Sequence, residues 1–200
     1  AAEAAAPAAK TPGAQAPAKD SLEALLKVEP LSVEVGLGLV KLVEGGQNSP
    51  LLRRIAGIRR QMASDLGYML PPVRVTDNLQ LKVGEYIVLL KGAEIARFEL
   101  VPNRELAIHP GGGAGPSAAA LEGIPGTDPA FGIPALWVPP EKSEDARSLG
   151  YTVVDHATVI ATHLGETAKQ LADQLLGRVE LQHLLEVFSR TNPKIVDDIV

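Results

Sequence analysis

Proline and glycine fall in clusters along this chain, and that punctuation is what most limits the folds open to it. A helix or a strand can run only until the next cluster stops it, so the chain must be built from short elements joined by turns. The first cluster is the most severe. Residues 1–20 hold ten alanines and three prolines, with Pro7, Pro12 and Pro17 recurring every five residues. Without a large apolar side chain, such a segment cannot bury enough surface to offset its conformational entropy. It reads as a flexible linker over 1–20, a tether that suggests something precedes it.

Beyond the tether the pattern becomes that of a folded protein. Leu31, Val33 and Val35 alternate on one face of a strand, and Gly36 then offers a cheap change of direction. A Gly, Gln, Asn, Ser and Pro turn over 45–50 leads into the clearest helix. Ser49 is its N-cap, Pro50 sits in the first turn, Leu51, Ile55, Ile58, Met62 and Leu66 form its apolar stripe, and Gly67 closes it. Strands are predicted over 73–75, 85–90, 93–100 and 106–108, the middle two joined by a hairpin turn at Lys91-Gly92. Residues 110–127, mostly Gly, Ala, Ser and Pro, predict an exposed irregular crossing. A short strand over 135–138, a polar helix over 141–149 ending at Gly150, and a strand over 151–154 follow. Asp155 predicts the N-cap of a long helix reaching about 176, with Ile160, Leu164, Ala168, Leu171 and Leu175 as its stripe. Gly177 breaks it, and Leu181, Leu184, Leu185 and Phe188 begin another helix. The mixture of mostly antiparallel strands with a few helices is α+β.

Composition excludes several classes of function. With 19 basic and 24 acidic residues the net charge is −5, which argues against a general nucleic-acid footprint. There is no cysteine, hence no disulfide, thiolate metal site or cysteine nucleophile. No apolar run approaches the length of about 18–20 residues that a spanning helix needs, and the amino end does not read as a secretory signal.

The chemistry-bearing residues have plain alternatives. His156 and His163 lie two helical turns apart, but no carboxylate completes a zinc pattern with them; with His109 and His183 they read as structural histidines sooner than as metal ligands. The Gly-rich run at 109–116 lacks the Lys-Ser/Thr ending of a phosphate loop and reads as a connector. No Gly-x-Ser-x-Gly elbow is present, so a small hydrolase or nucleotide binder has no anchor in these residues. Arg53, Arg54, Arg59 and Arg60 make a positive helix face, either solvated or a seam with another chain. Asp128-Pro-Ala-Phe-Gly-Ile-Pro134 is the most unusual stretch. Phe131, stiffened by Pro129 and Pro134, anchors its own loop or walls an apolar docking pocket.

A resemblance sharpens these readings. Pro30-Leu-Ser-Val-Glu-Val-Gly36, Leu52-Arg-Arg-Ile55, Ile58-Arg-Arg-Gln61 and Pro71-Pro-Val-Arg-Val-Thr-Asp-Asn78 carry it, continued by Asp128-Pro-Ala-Phe-Gly132, Ala135-Leu-Trp137 and Gly150-Tyr-Thr-Val-Val-Asp155. Over about 28–200 the chain resembles the FlhA family of flagellar type III export-gate proteins. The resemblance implies a non-enzymatic cytosolic region, following a membrane block, at the cytoplasmic face of the bacterial inner membrane. It implies a first subdomain over 21–106 plus 156–176, a second inserted over 107–155, and the start of a helical third over 177–200. It implies a docking platform for export chaperones with bound cargo, with no cofactor or metal. The implied partners also include the export ATPase complex, reached through the linker, and eight further copies in a ring. Nucleic acid is not among them. The implied docking residues are Asp128, Phe131 and Thr162, with Leu106, Ile108, Pro110, Val154 and Val159 as walls. Asp128 and Phe131 are expected to be exposed. Gly36 is implied as a conformational hinge, and the four arginines remain candidates for contact between subunits. A structural ring-former without direct cargo binding is the alternative.

Overall fold

The computed structural model describes residues 29–67, 70–111 and 121–191. The tether and the last residues of the chain lie outside them. Among the described residues, no helix is long and apolar enough to cross a membrane.

The first sheet has the order β2-β1-β3-β4. In β1 (Leu31–Val35) the three alternating apolar residues are buried while Ser32 and Glu34 are half-buried, the period-2 pattern of a strand with one covered face. After a 3-10 turn over Leu37–Leu42, helix α1 (Pro50–Leu66) carries the chain to β2 (Val73–Asp77), which pairs parallel to β1. Strands β3 (Glu85–Leu90) and β4 (Ala93–Glu99) form the expected antiparallel hairpin, β3 lying on the other side of β1. Lys91 and Gly92 both have positive φ, 49° and 83°, as a two-residue turn matched to strand twist requires.

The second sheet has the order β6-β7-β5-β8 and is antiparallel throughout. Its strands are β5 (Glu105–Ile108), β6 (Ile124–Thr127), β7 (Pro134–Val138) and β8 (Thr152–Val154), with α2 (Ser143–Ser148) before β8. All of them lie in the chain between β4 and α3 (His156–Gln170), which returns to pack beside α1. The short α4 (Ala172–Leu175) and α5 (Arg178–Thr191) follow. One apolar core joins the first sheet to α1 and α3, taking in Leu106, Ala135 and Trp137 of the second sheet. A smaller one holds Ala107, Leu121, Val138, Ala146 and Tyr151. The arrangement is α+β.

Three expectations are corrected. The crossing over 110–127 ends in a strand, β6, although Pro125 and Gly126 argue against one. Edge position tolerates the proline, and the glycine is forced: a Cβ on Gly126 would lie 2.6 Å from Nε1 of Trp137. The helix expected to reach 176 stops at Gln170, where Leu171 leaves helical geometry at φ −110° and ψ 24° before α4. Gly36 does head the 3-10 turn after β1, its carbonyl accepting from the Leu39 amide at 2.9 Å, but the turn is not what requires glycine. Its backbone is extended at φ −70° and ψ 165°, but a Cβ there would stand 2.0 Å from the carbonyl oxygen of Lys82. Close backbone approach, rather than the turn itself, excludes a side chain from it.

Candidate functional site

Helices α1 and α3 run side by side in the same direction. Arg54 reaches Asp155 at 3.3 Å near their starts, and Ile58, about one turn further along α1, faces Gly165 of α3. A Cβ on Gly165 would lie 2.8 Å from Cγ2 of Ile58, so glycine is what lets the helices approach. Both helices start as the sequence predicts. Ser49 Oγ accepts from the amide of Leu52 at 3.3 Å, and Asp155 Oδ1 accepts from the amide of Thr158 at 2.7 Å and from its hydroxyl at 2.6 Å. Partial burial works against the charge of Asp155, but the bonds from Thr158 and the nearby Arg54 hold its carboxyl below the usual carboxylate range.

The cleft between the helices holds a recess of about 210 Å³, floored by Ile58 and Met62 of α1 and by Thr162 and Gly165 of α3. Phe131 stands at its wall, 57% exposed, on the loop between β6 and β7. That loop is tied to itself. Asp128 Oδ2 accepts from the amide of Phe131 at 2.8 Å, the Asp128 carbonyl accepts from Gly132 at 2.9 Å, and the Asp128 amide donates to Ile133 at 2.8 Å. Gly132 takes φ 68° to close the turn. Asp128 is therefore 3% exposed, against the expectation that it faces solvent. Its carboxylate is spent on its own loop, and what it delivers outward is the ring of Phe131.

Below this loop, the hydroxyl of Tyr86 and Nδ1 of His163 share a hydrogen bond of 2.8 Å, with the rings edge to face at 5.8 Å. Burial pushes the Tyr86 hydroxyl far up, and the negative charge of Asp128 adds to this. Burial also pushes His163 below its ordinary value, with Asp128 partly opposing. His156 is used structurally too. Its Nε2 donates to the carbonyl of Val101 at 3.0 Å and its ring meets Trp137 at 5.8 Å. Among the described residues no cluster of side chains could hold a metal ion.

The structure thus brings Phe131 and Thr162 to one recess, with Asp128 behind them. Leu106 and Val159 are buried in the core, at 0% and 2% exposed. Ile108 and Val154 are half-buried in β5 and β8, and Pro110 is exposed beyond β5. The arginine face divides. Arg53 and Arg54 line a second hollow, of about 390 Å³, that continues the cleft toward the helix starts. Arg59 turns away and clamps the Leu70 carbonyl through Nε at 3.1 Å and Nη2 at 2.8 Å. Arg60 donates back to the Ala56 carbonyl at 3.3 Å. The apolar residues that α1 contributes to the recess, Ile58 and Met62, read in the sequence only as core stripe.

Comparison with known proteins places this chain in a family. The FHIPEP family pattern matches residues 1–200. The flagellar biosynthesis protein FlhA of Proteus mirabilis is 43% identical over 172 residues, which is 86% of this chain and 24% of that protein. Its counterpart in Bacillus subtilis is 39% identical over 180 residues, 90% of this chain and 26% of that one. The chain therefore spans about a quarter of the length of these relatives. Among solved structures, that of the Chlamydia pneumoniae CdsV and CdsO complex matches with a TM-score of 0.72 at 23% identity, covering 86% of this chain and 53% of that one. The nonameric SctV-C of EPEC matches with a TM-score of 0.59 at 15% identity, covering 85% and 48%. These two likenesses are of fold.

Proposed function

The chain belongs to the FHIPEP family, and from that premise we propose that it is cytosolic docking machinery of a flagellar type III export gate, receiving export chaperones with their cargo at the Phe131–Thr162 recess. The observation that carries this reading is a large aromatic ring held 57% exposed by a buried carboxylate, beside a recess with Ile58 and Met62 in its floor and polar side chains around them. A rigid loop that displays an aromatic side chain prepays the ordering cost that binding otherwise incurs. We read the two sheets as the first subdomain and the second inserted into it, with α5 opening the third. The chain works as one of nine copies at the cytoplasmic face of the inner membrane, its amino-terminal linker reaching the export ATPase complex. The nonameric EPEC relative supports the ring, and Arg60, exposed and outside the cleft, is the candidate for contact between copies. We read the role as non-catalytic, since His156 and His163 are engaged in holding the fold.

The test is Phe131→Ala, titrated by calorimetry against a flagellar export chaperone loaded with filament-type cargo. Affinity falls about tenfold or more while the melting temperature stays put, as for an exposed hot-spot aromatic. Undiminished affinity would overturn the docking reading and favour a purely structural ring-former.

A further inference from the structure

The recess at Phe131 is one end of a longer channel. The second hollow shares Ile58 and Thr162 with it and continues past Gly57 to Arg53, Arg54 and Thr158. The channel is electrically polarised. Helices α1 and α3 both begin at the arginine end, so their N-terminal partial positive charges add to the guanidinium groups there. Arg54 is partly offset by Asp155, whereas Arg53 is exposed and makes no ion pair among the described residues. At the other end the carboxylates of Asp65 and Glu166 face a single ammonium, that of Lys169, which is tied to Glu166 at 3.2 Å.

Gly57 supplies an independent observation. Glycine weakens a helix interior, and it is normally kept where the fold needs the room. Gly126 and Gly165 are of that kind, each with a neighbour inside 3.0 Å of where a Cβ would stand. Gly57, in the middle of α1, has nothing within 4 Å of that position. The space it leaves is open, and it opens into the channel.

We propose that a segment of the docked partner lies along this channel, its backbone close to Gly57, an apolar side chain seated beside Phe131 and carboxylates at the Arg53 end. This rests on the docking reading and adds to it the direction and charge of what docks. A basic segment would be repelled at the Arg53 end, and a bulky one running over α1 would gain nothing from Gly57.

The experiment uses the chaperone–cargo complex named above, titrated at low and at physiological salt against Arg53→Glu, Gly57→Ala, Gly57→Leu and, as a control of equal charge change, Arg74→Glu on the exposed side of β2. Arg53→Glu weakens binding about fivefold or more and flattens its salt dependence, while Arg74→Glu stays within about twofold. Gly57→Ala raises the melting temperature yet lowers affinity, and Gly57→Leu lowers affinity further, to about a tenth. The proposal is overturned if Arg53→Glu does no more than Arg74→Glu, if it tightens binding, or if Gly57→Leu binds as the parent does. Should Phe131→Ala still abolish binding in that event, docking stands and only its direction falls. If Phe131→Ala is silent as well, docking itself has failed.

Discussion

A carboxylate buried under the ring it positions behaves differently from one that meets a partner directly. Asp128 accepts from the amide of Phe131 and is closed off from solvent, so its replacement acts on the loop first. Asp128→Asn keeps an acceptor oxygen and holds the turn. Asp128→Ala leaves the Phe131 amide without its partner and costs about 1.5–3 kcal/mol, the range for a bond to a charged acceptor. Denaturant unfolding of the two variants, run beside chaperone titrations, checks this: the alanine variant is the less stable of the pair and loses affinity in step with loop order. Gly36 sets a second case. Because a Cβ there meets the Lys82 carbonyl at 2.0 Å, Gly36→Ala must separate β1 from the loop before β3, and destabilises by about 1–3 kcal/mol as over-packing does. Thermal denaturation reads that directly, and an unchanged melting temperature would contradict it. Neither role was legible in the sequence. Asp128 stood out by its company of two prolines and a phenylalanine, but whether its oxygens faced water depended on the amide three residues on. Gly36 read as a turn because glycine after a strand usually is one, while the atom that excludes a side chain sits 46 residues away.

Among the elements, α1 was the most legible, and its ends show why. Ser49, Pro50 and Gly67 are local signals, and each acts as expected: a side-chain cap at 3.3 Å, a proline in the first turn, and a left-handed closing glycine at φ 74°. Ser49 is also 1% exposed, so Ser49→Ala removes a cap where water cannot replace it. The expected loss is about 1–2 kcal/mol, at the upper part of the range for N-caps. Ser49→Asp restores most of it, as circular dichroism melts of the two variants would show. The elements that escaped detection are those fixed by other elements. β6 exists because β7 offers it an edge and Trp137 needs the room above Gly126. The break after Gln170 falls within a stripe of leucines that carries no glycine or proline to announce it. The cleft is a third example. Alternation and helical stripes show that a residue is on a covered face, but not what covers it, so they could not tell that Leu106 and Val159, walls by the resemblance, are core in the fold.

On the scale of the whole molecule, the two sheets are bound to one another by histidines as well as by apolar packing. His156, at the start of α3, donates to the Val101 carbonyl where β4 gives way to the second sheet, and its ring lies against Trp137 of β7. Arg104 completes that junction by donating to the Trp137 carbonyl at 3.1 Å. His163 is hydrogen-bonded to Tyr86 beneath the Asp128 loop. Both histidines are pushed below their ordinary value of 6.5, chiefly by burial. In the folded protein they therefore stay neutral at a pH where the unfolded chain has begun to bind protons. Stability rises with pH wherever the unfolded state holds more protons, so this contribution is complete above about pH 6.5 and is lost as the pH falls through that value toward the lower folded ones. Charging His163 in its half-buried place beside Tyr86 also carries a desolvation cost, and it does so near Asp128 of the Phe131 loop. The expected outcome is a melting temperature lower at about pH 5 than at about pH 7.5, with affinity for the chaperone–cargo complex falling in the same window. In a His156→Gln/His163→Gln variant, less stable at neutral pH, the difference between the two pH values shrinks. Carboxylates contribute a slope of the same sign at lower pH, so the double variant and the parent must be compared between about pH 7.5 and about pH 5, where the histidines titrate. A parent protein equally stable at both pH values, or a double variant with an undiminished slope, would show that these two imidazoles do not set the acid limit of the fold.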